Sequence, residues 1–139
     1  MNKPIIQDIW IVDDLETDHE LLKISFAKHL DVSRIKSFYS AEEALEAINS
    51  GCIVNLIILD YKMPGIGGAG FLKAIEKQTT FSIPVIVLTS SNNPDDIQFA
   101  YQNGAYAYVS KPKNFDQFTE LGDAFGNFWF KQVHLPNSI

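Results

Sequence analysis

The stretch Val54-Asn55-Leu56-Ile57-Ile58-Leu59-Asp60 is almost wholly apolar and stops abruptly on a carboxylate. Ile83-Pro84-Val85-Ile86-Val87-Leu88 repeats the pattern and stops on Thr89-Ser90. Neither run alternates apolar with polar residues. A strand that is apolar throughout has both faces covered, the condition of a strand inside a parallel sheet. Working outward, Ile5–Val12 leads to Asp13-Asp14, and Tyr106–Val109 leads to Lys111-Pro112. A weaker run covers Val32–Phe38.

Helical spacing fills the intervals. Leu22, Phe26 and Leu30 recur at i, i+4 and i+8. Ala44, Leu45 and Ile48 follow Ser40, a candidate N-cap with Glu43 three residues on as a capping box. Phe71, Leu72 and Ile75 mark a third helix, and Ile97, Ala100 and Tyr101 a fourth with Pro94 near its first turn. Phe118, Leu121, Phe125 and Phe128 mark a fifth. Strand and helix alternating five times argue for an α/β layer fold with a parallel sheet and right-handed crossovers. One domain is expected over residues 1–139, with a core at about 5–131, a short polar tail at 132–139 and no fused output domain.

Composition narrows the function classes. The 139 residues are 46% hydrophobic and include ten Phe, five Tyr and two Trp, ample material for a core. No apolar run approaches the roughly 20 residues of a membrane span, and no signal peptide is read. The net charge is −6, with a pI near 4.9, so direct DNA binding is not expected. A single cysteine, Cys52, supplies neither an internal disulfide nor a thiolate metal cluster, which points to a reducing cytoplasm. Its position after the second helix gives no reason for reactivity.

In an open α/β sheet, ligands bind beyond the carboxyl ends of the strands. Those ends carry Asp13, Asp14, Asp60, Thr89 and Lys111. Any one of them has an ordinary explanation as a helix cap, a turn residue or a solvated side chain. Together they have one chemical explanation. Clustered carboxylates repel unless a cation lies among them. Oxygen ligands suit a hard ion such as Mg²⁺, which often shares its shell with phosphate. An Asp carboxylate can attack phosphorus to form an acyl phosphate. Mg²⁺ and a lysine would neutralise the phosphoryl oxygens, and a threonine hydroxyl would donate to one of them.

The motifs Ile11-Val12-Asp13-Asp14, Leu59-Asp60-Tyr61-Lys62-Met63-Pro64 with Gly68 beyond, Leu88-Thr89-Ser90 and Tyr108-Val109-Ser110-Lys111-Pro112 occur in that order. From about residue 6 to 130 the chain resembles the receiver domain of two-component response regulators, in a single-domain, chemotaxis-regulator-like form. The resemblance implies a flavodoxin-like (βα)5 three-layer sandwich whose five-stranded parallel sheet has the order 2-1-3-4-5. It implies Asp60 as phosphoacceptor. It implies Asp13, Asp14, Asp60 and the backbone carbonyl of Lys62 as ligands of Mg²⁺ or Mn²⁺. Thr89 matches the switch hydroxyl, Lys111 the lysine that pairs with the phosphoryl group, and Tyr108 the switch aromatic. A cis Lys111–Pro112 peptide is implied as well. Lys62 stands where relatives often have Asn, and with Ser91 it faces the path of the hydrolytic water, so both are expected to tune phosphoryl lifetime. In the glycine-rich loop after the third strand, Gly68 is the residue expected to need a positive φ.

The resemblance implies a phosphorylation-dependent switch that catalyses only its own Mg²⁺-dependent phosphorylation and dephosphorylation. The donor would be a histidine kinase or a histidine phosphotransfer protein, since His19, His29 and His134 are expected to lie away from the site. Output would pass by contact to a protein target in trans, through the face of the fourth helix, fifth strand and fifth helix. Trp129 and Phe130 fall beside or off the buried stripe of the fifth helix, so a homodimer or partner contact there stays open. Three other readings fit the sequence less well. An aspartyl-phosphate phosphatase would carry a second Asp at position 62, which is Lys. A flavin module would need a phosphate-cradling loop where Asp13-Asp14-Leu15-Glu16 stands. A phosphorylation-independent interaction module would not need the intact tetrad.

Overall fold

The computed structural model describes residues 8–78 and 83–135. Five strands are formed by Ile9–Val12 (β1), Ile35–Phe38 (β2), Leu56–Leu59 (β3), Val85–Thr89 (β4) and Ala107–Ser110 (β5). The helices are Glu16–Phe26 (α1), Ala41–Asn49 (α2), Gly67–Gln78 (α3), Pro94–Gln102 (α4) and Phe115–Ala124 (α5). A short 3-10 turn, Val32–Arg34, precedes β2. All strand pairs are parallel, and their order is β2-β1-β3-β4-β5, as expected. Residues 5–7 of the expected first strand lie outside the described residues. No described helix is long and apolar enough to cross a membrane.

The apolar runs do what their lack of alternation required. Ile9, Ile11, Leu56, Ile58, Ile86 and Leu88 pack on one face with Leu22 and Phe26 of α1 and Phe118 of α5. Trp10, Val12, Ile57, Leu59, Val85 and Val87 pack on the other with Ala41 and Ala44 of α2, Phe71 and Leu72 of α3, and Ala100 of α4. Successive strand residues thus feed opposite layers, the period-2 rule applied with both sides apolar.

Local signals fix the helix starts. Ser40 Oγ accepts the Glu43 N–H at 3.1 Å, while the Glu43 carboxylate accepts from Tyr39 N–H at 3.1 Å, one residue earlier than in a standard capping box. Asn93 caps α4 ahead of Pro94, and Asn114 caps α5.

Four expectations need correction. The Lys111–Pro112 peptide is trans, as are all described peptide bonds. The two isomers of an X–Pro bond differ by only about 0.5–1 kcal/mol, so the dipeptide itself does not set the choice. Gly68 does not have a positive φ; Gly65 (78°) and Gly67 (68°) do. Gly68 is required for space instead, since a Cβ there would lie 2.6 Å from Tyr61 Cα and 2.8 Å from the Asp60 carbonyl oxygen. The fifth helix does not keep its 3.6-residue stripe. Residues Phe125–Trp129 form a π-helical turn, with Phe130 N–H donating to the Phe125 carbonyl at 3.0 Å. The wider turn carries Phe128 out to solvent and brings Phe130 into the core. Beyond residue 131, Leu135 is buried and Val133 packs against the same layer, so the core extends past the expected polar boundary.

Candidate functional site

The parallel ladders continue one residue past β1 and β3. Asp13 N–H donates to the Phe38 carbonyl at 3.0 Å, and Asp60 N–H to the Val12 carbonyl at 2.9 Å. Asp13 and Asp60 therefore emerge side by side at the carboxyl edge, both buried. Neither Asp13 nor Asp14 caps α1; the N-cap is Leu15, whose N–H donates to Asp13 Oδ1 at 2.9 Å. Asp14 is exposed at the mouth. Asp13, Asp14 and Asp60 each offer an oxygen within 4.8 Å of the others.

Lys111 leaves β5 with its N–H donating to the Thr89 carbonyl at 2.8 Å, which aligns the two strand ends. Its ammonium reaches three carboxylates: Asp18 Oδ2 at 2.7 Å, Asp13 Oδ2 at 2.9 Å and Asp60 Oδ2 at 3.0 Å. Burial alone would pull this ammonium down. Hydrogen bonds to Asp18 and Asp13, with the charges of Asp13 and Asp60, hold it above the usual lysine range. Burial pushes the Asp13 carboxyl up to about 6, against the opposing pull of the Leu15 N–H and Lys111. Three carboxylates around one ammonium, with Asp14 beside two of them, leave an excess of negative charge. That donor set, all hard oxygens, fits a divalent cation.

Thr89 is fully buried at the end of β4, and its Oγ1 accepts weakly from Ser91 N–H at 3.4 Å. Tyr108 is turned toward the same loop: its hydroxyl donates to the Ser91 carbonyl at 3.0 Å, and its ring meets Tyr61 edge-on. Threonine and tyrosine are thus joined through one short loop. Lys62 N–H donates to Asp60 Oδ1 at 3.2 Å, tying the β3–α3 loop to the carboxylate. The Lys62 side chain is exposed and its ammonium lies 3.1 Å from Asp96 Oδ2. The Ser91 hydroxyl donates to the same Asp96 oxygen at 2.7 Å.

The structure thus brings Asp13, Asp14, Asp60, Thr89 and Lys111 to one edge, with Lys62, Ser91 and Tyr108 around the rim. It also places two residues there that the sequence reading missed. Asp18, five residues after Asp13, lies in the first turn of α1 and reaches back to Lys111. His19, expected to lie away from the site, is buried beneath it, and its Nε2–H donates to the Asp13 carbonyl at 2.7 Å. Burial holds the His19 ring's pKa below its usual value. A signal existed: His19 shares a helical stripe with Leu22 and Phe26, at i, i+3 and i+7.

The family described as the response regulator receiver domain matches residues 9–121. NtrC, a DNA-binding transcriptional regulator of Proteus hauseri, is 31% identical over 114 residues, which make up 82% of this chain and 23% of NtrC. The chain therefore spans about a quarter of that relative's length. Mn²⁺-bound Rcp1 superposes with a TM-score of 0.82 at 26% identity, covering 94% of this chain and 99% of that one. The phosphorylated cyanobacterial phytochrome response regulator RcpA superposes with a TM-score of 0.86 at 26% identity, covering 95% and 99%.

Proposed function

Because the chain belongs to the response regulator receiver domain family, we propose that it is a phosphorylation-dependent switch with Asp60 as its phosphoacceptor. Receiver domains are signalling modules of two-component systems. The observation that carries the reading is the Lys111 ammonium shared between Asp60, Asp13 at the neighbouring strand end and Asp18 in the first turn of α1. An Asp60 oxygen attacks phosphorus, an acyl phosphate O–P bond forms, and the bond to the donor's leaving group breaks. The donor is a histidine kinase or a histidine phosphotransfer protein.

Asp13, Asp14 and Asp60, with the Lys62 carbonyl, would hold Mg²⁺ or Mn²⁺, which would neutralise charge on the phosphoryl oxygens. Mn²⁺-bound Rcp1 and phosphorylated RcpA, both similar to this chain, support these two parts of the reading. The remaining steps belong to side chains. Lys111 turns from Asp18 and Asp13 toward a phosphoryl oxygen, and Thr89 Oγ1 exchanges its long contact with Ser91 N–H for another. The β4–α4 loop follows, and with it Tyr108, which hydrogen-bonds the Ser91 carbonyl. Tyr101 and Tyr106, exposed on α4 and just before β5, present this change to a protein target in trans. A second copy of the chain is the other partner that this face would suit. The free, exposed Cys52 suits a cytoplasmic setting.

Incubation with acetyl phosphate and Mg²⁺, followed by intact mass measurement, tests the reading. One added phosphoryl mass is expected, absent without Mg²⁺ and absent in Asp60→Asn. An adduct of equal yield in Asp60→Asn would move the acceptor elsewhere. No adduct, together with no response to beryllofluoride, would favour a phosphorylation-independent interaction module.

A further inference from the structure

Two loops flank the acceptor, and each sends its second residue to the same atom. Lys62, two residues after Asp60, places its ammonium 3.1 Å from Asp96 Oδ2. Ser91, two residues after Thr89, donates its hydroxyl to that oxygen at 2.7 Å. Asp96 stands in the first turn of α4, and its side chain is 18% exposed, against 62% for Lys62. The lysine, still mostly exposed, meets a carboxylate that the serine hydroxyl also contacts. The Ser91 hydrogen bond, and after it Lys62, hold the Asp96 carboxyl below the usual carboxylate range, so it is anionic at neutral pH.

We propose that Asp96, oriented by the Ser91 hydroxyl, is a positioning residue that sets the lifetime of the phosphoryl group on Asp60 by holding the Lys62 ammonium away from it. The inference rests on the reading of Asp60 as phosphoacceptor. In the reaction at issue, a water oxygen attacks phosphorus in line with the Asp60 O–P bond. That bond breaks with its electron pair on the carboxylate. Inorganic phosphate leaves with one of the water's protons, and the other passes to solvent. A lysine ammonium two residues from the acceptor has a strong electrostatic reason to pair with a dianionic phosphoryl group. Paired there, it crowds the path of the water. With Asp96 holding it aside, the path stays open and the acyl phosphate turns over faster.

The test is the decay of the phosphorylated protein after acetyl phosphate is removed, followed by intact mass in Mg²⁺. Asp96→Ala and Asp96→Asn are expected to slow the decay about 3–10-fold. Asp96→Glu, which keeps the carboxylate, is expected to stay within about two-fold of the unaltered protein. In a Lys62→Met background, Asp96→Ala is expected to change nothing, because its effect acts through the ammonium. A merely structural role for Asp96 would persist without Lys62. Unchanged or faster decay in Asp96→Asn, loss of the Glu rescue, or an undiminished effect in Lys62→Met overturns the inference while leaving Asp60 as acceptor. Failure of the unaltered protein to take up any phosphoryl group would instead remove the underlying reading, and the inference with it.

Discussion

The Lys111 ammonium lies nearer to Asp18, at 2.7 Å, than to Asp13 or Asp60, at 2.9 and 3.0 Å. Asp18 comes from α1, not from a strand end, so the lysine at the centre of the site is partly held by a residue outside the strand-end set. An incoming phosphoryl group competes with Asp18 for this lysine. Asp18→Asn weakens the competitor while Asp13 and Asp60 still anchor Lys111. Since a charge-assisted hydrogen bond contributes about 1.5–3 kcal/mol net and the neutral one that Asn keeps about 0.5–1.5, the hold on Lys111 weakens by about 1–1.5 kcal/mol, and beryllofluoride in the presence of Mg²⁺ is expected to bind roughly 5–10-fold more tightly. Calorimetric titration checks this, and weaker binding would show that Asp18 supports the lysine instead of competing for it.

The second prediction concerns pH. Burial places the Asp13 carboxyl at about 6 in the folded protein, against 3.8 for the free side chain. Between those values the folded state holds more protons than the unfolded one, so this group lowers stability as pH rises from about 4 to about 6. The effect is on the order of 2–3 kcal/mol. Asp13→Asn is therefore expected to be more stable than the unaltered protein in the absence of metal at pH 7, with the difference shrinking toward pH 4. Mg²⁺ is expected to raise the melting temperature of the unaltered protein and to have little effect on Asp13→Asn. Thermal melts at both pH values, with and without Mg²⁺, decide the matter. A variant less stable than its parent in metal-free buffer at pH 7 would contradict it.

The third prediction separates two reasons for glycine. A Cβ at Gly68 meets the Tyr61 Cα and the Asp60 carbonyl, both backbone, whereas one at Gly104 (φ 96°) meets nothing within 4 Å. Gly104→Ala carries only a conformational cost of about 1 kcal/mol. Gly68→Ala must push α3 from the loop that carries Asp60, at a cost of roughly 1–3 kcal/mol, and is expected to impair phosphorylation as well. Urea unfolding and the acetyl phosphate assay, applied to both variants, distinguish the two. Equal loss of phosphorylation in both would count against the packing argument.

The fourth prediction tests the π-helical turn. Phe130 is buried against Phe26, ring centroids 5.0 Å apart, while Phe128 is 56% exposed. Phe130→Ala is expected to cost about 3–5 kcal/mol and Phe128→Ala less than about 1 kcal/mol, as read from urea midpoints. An uninterrupted α-helix would reverse that order.

These cases show what the chain disclosed and what it hid. The sheet was legible because the runs at Leu56–Leu59 and Val85–Thr89 have no polar face to spare. The site residues were legible because each sits at or just beyond the end of a strand, where topology alone brings Asp13, Asp60, Thr89 and Lys111 together. The order of the strands came through likeness to a family, not from periodicity. The π-helical turn was not legible. Phe125, Phe128, Trp129 and Phe130 are all apolar, so the composition is the same in either register. The role of Gly68 was misread because a sequence shows that glycine is present but not whether it serves a turn or a contact. Asp18 and His19 were overlooked for a different reason. They reach the site from a helix, across a distance that strand-end reasoning does not search.

The proposal turns on Asp60, among four carboxylates at this edge, as the one that receives the phosphoryl group. The most direct measurement is borohydride trapping of the phosphorylated protein, which converts an acyl phosphate to an alcohol, followed by peptide mapping. Homoserine is expected at position 60 alone, and only after incubation with acetyl phosphate and Mg²⁺. Homoserine at position 13, 14 or 18, or at none of the four, would contradict it.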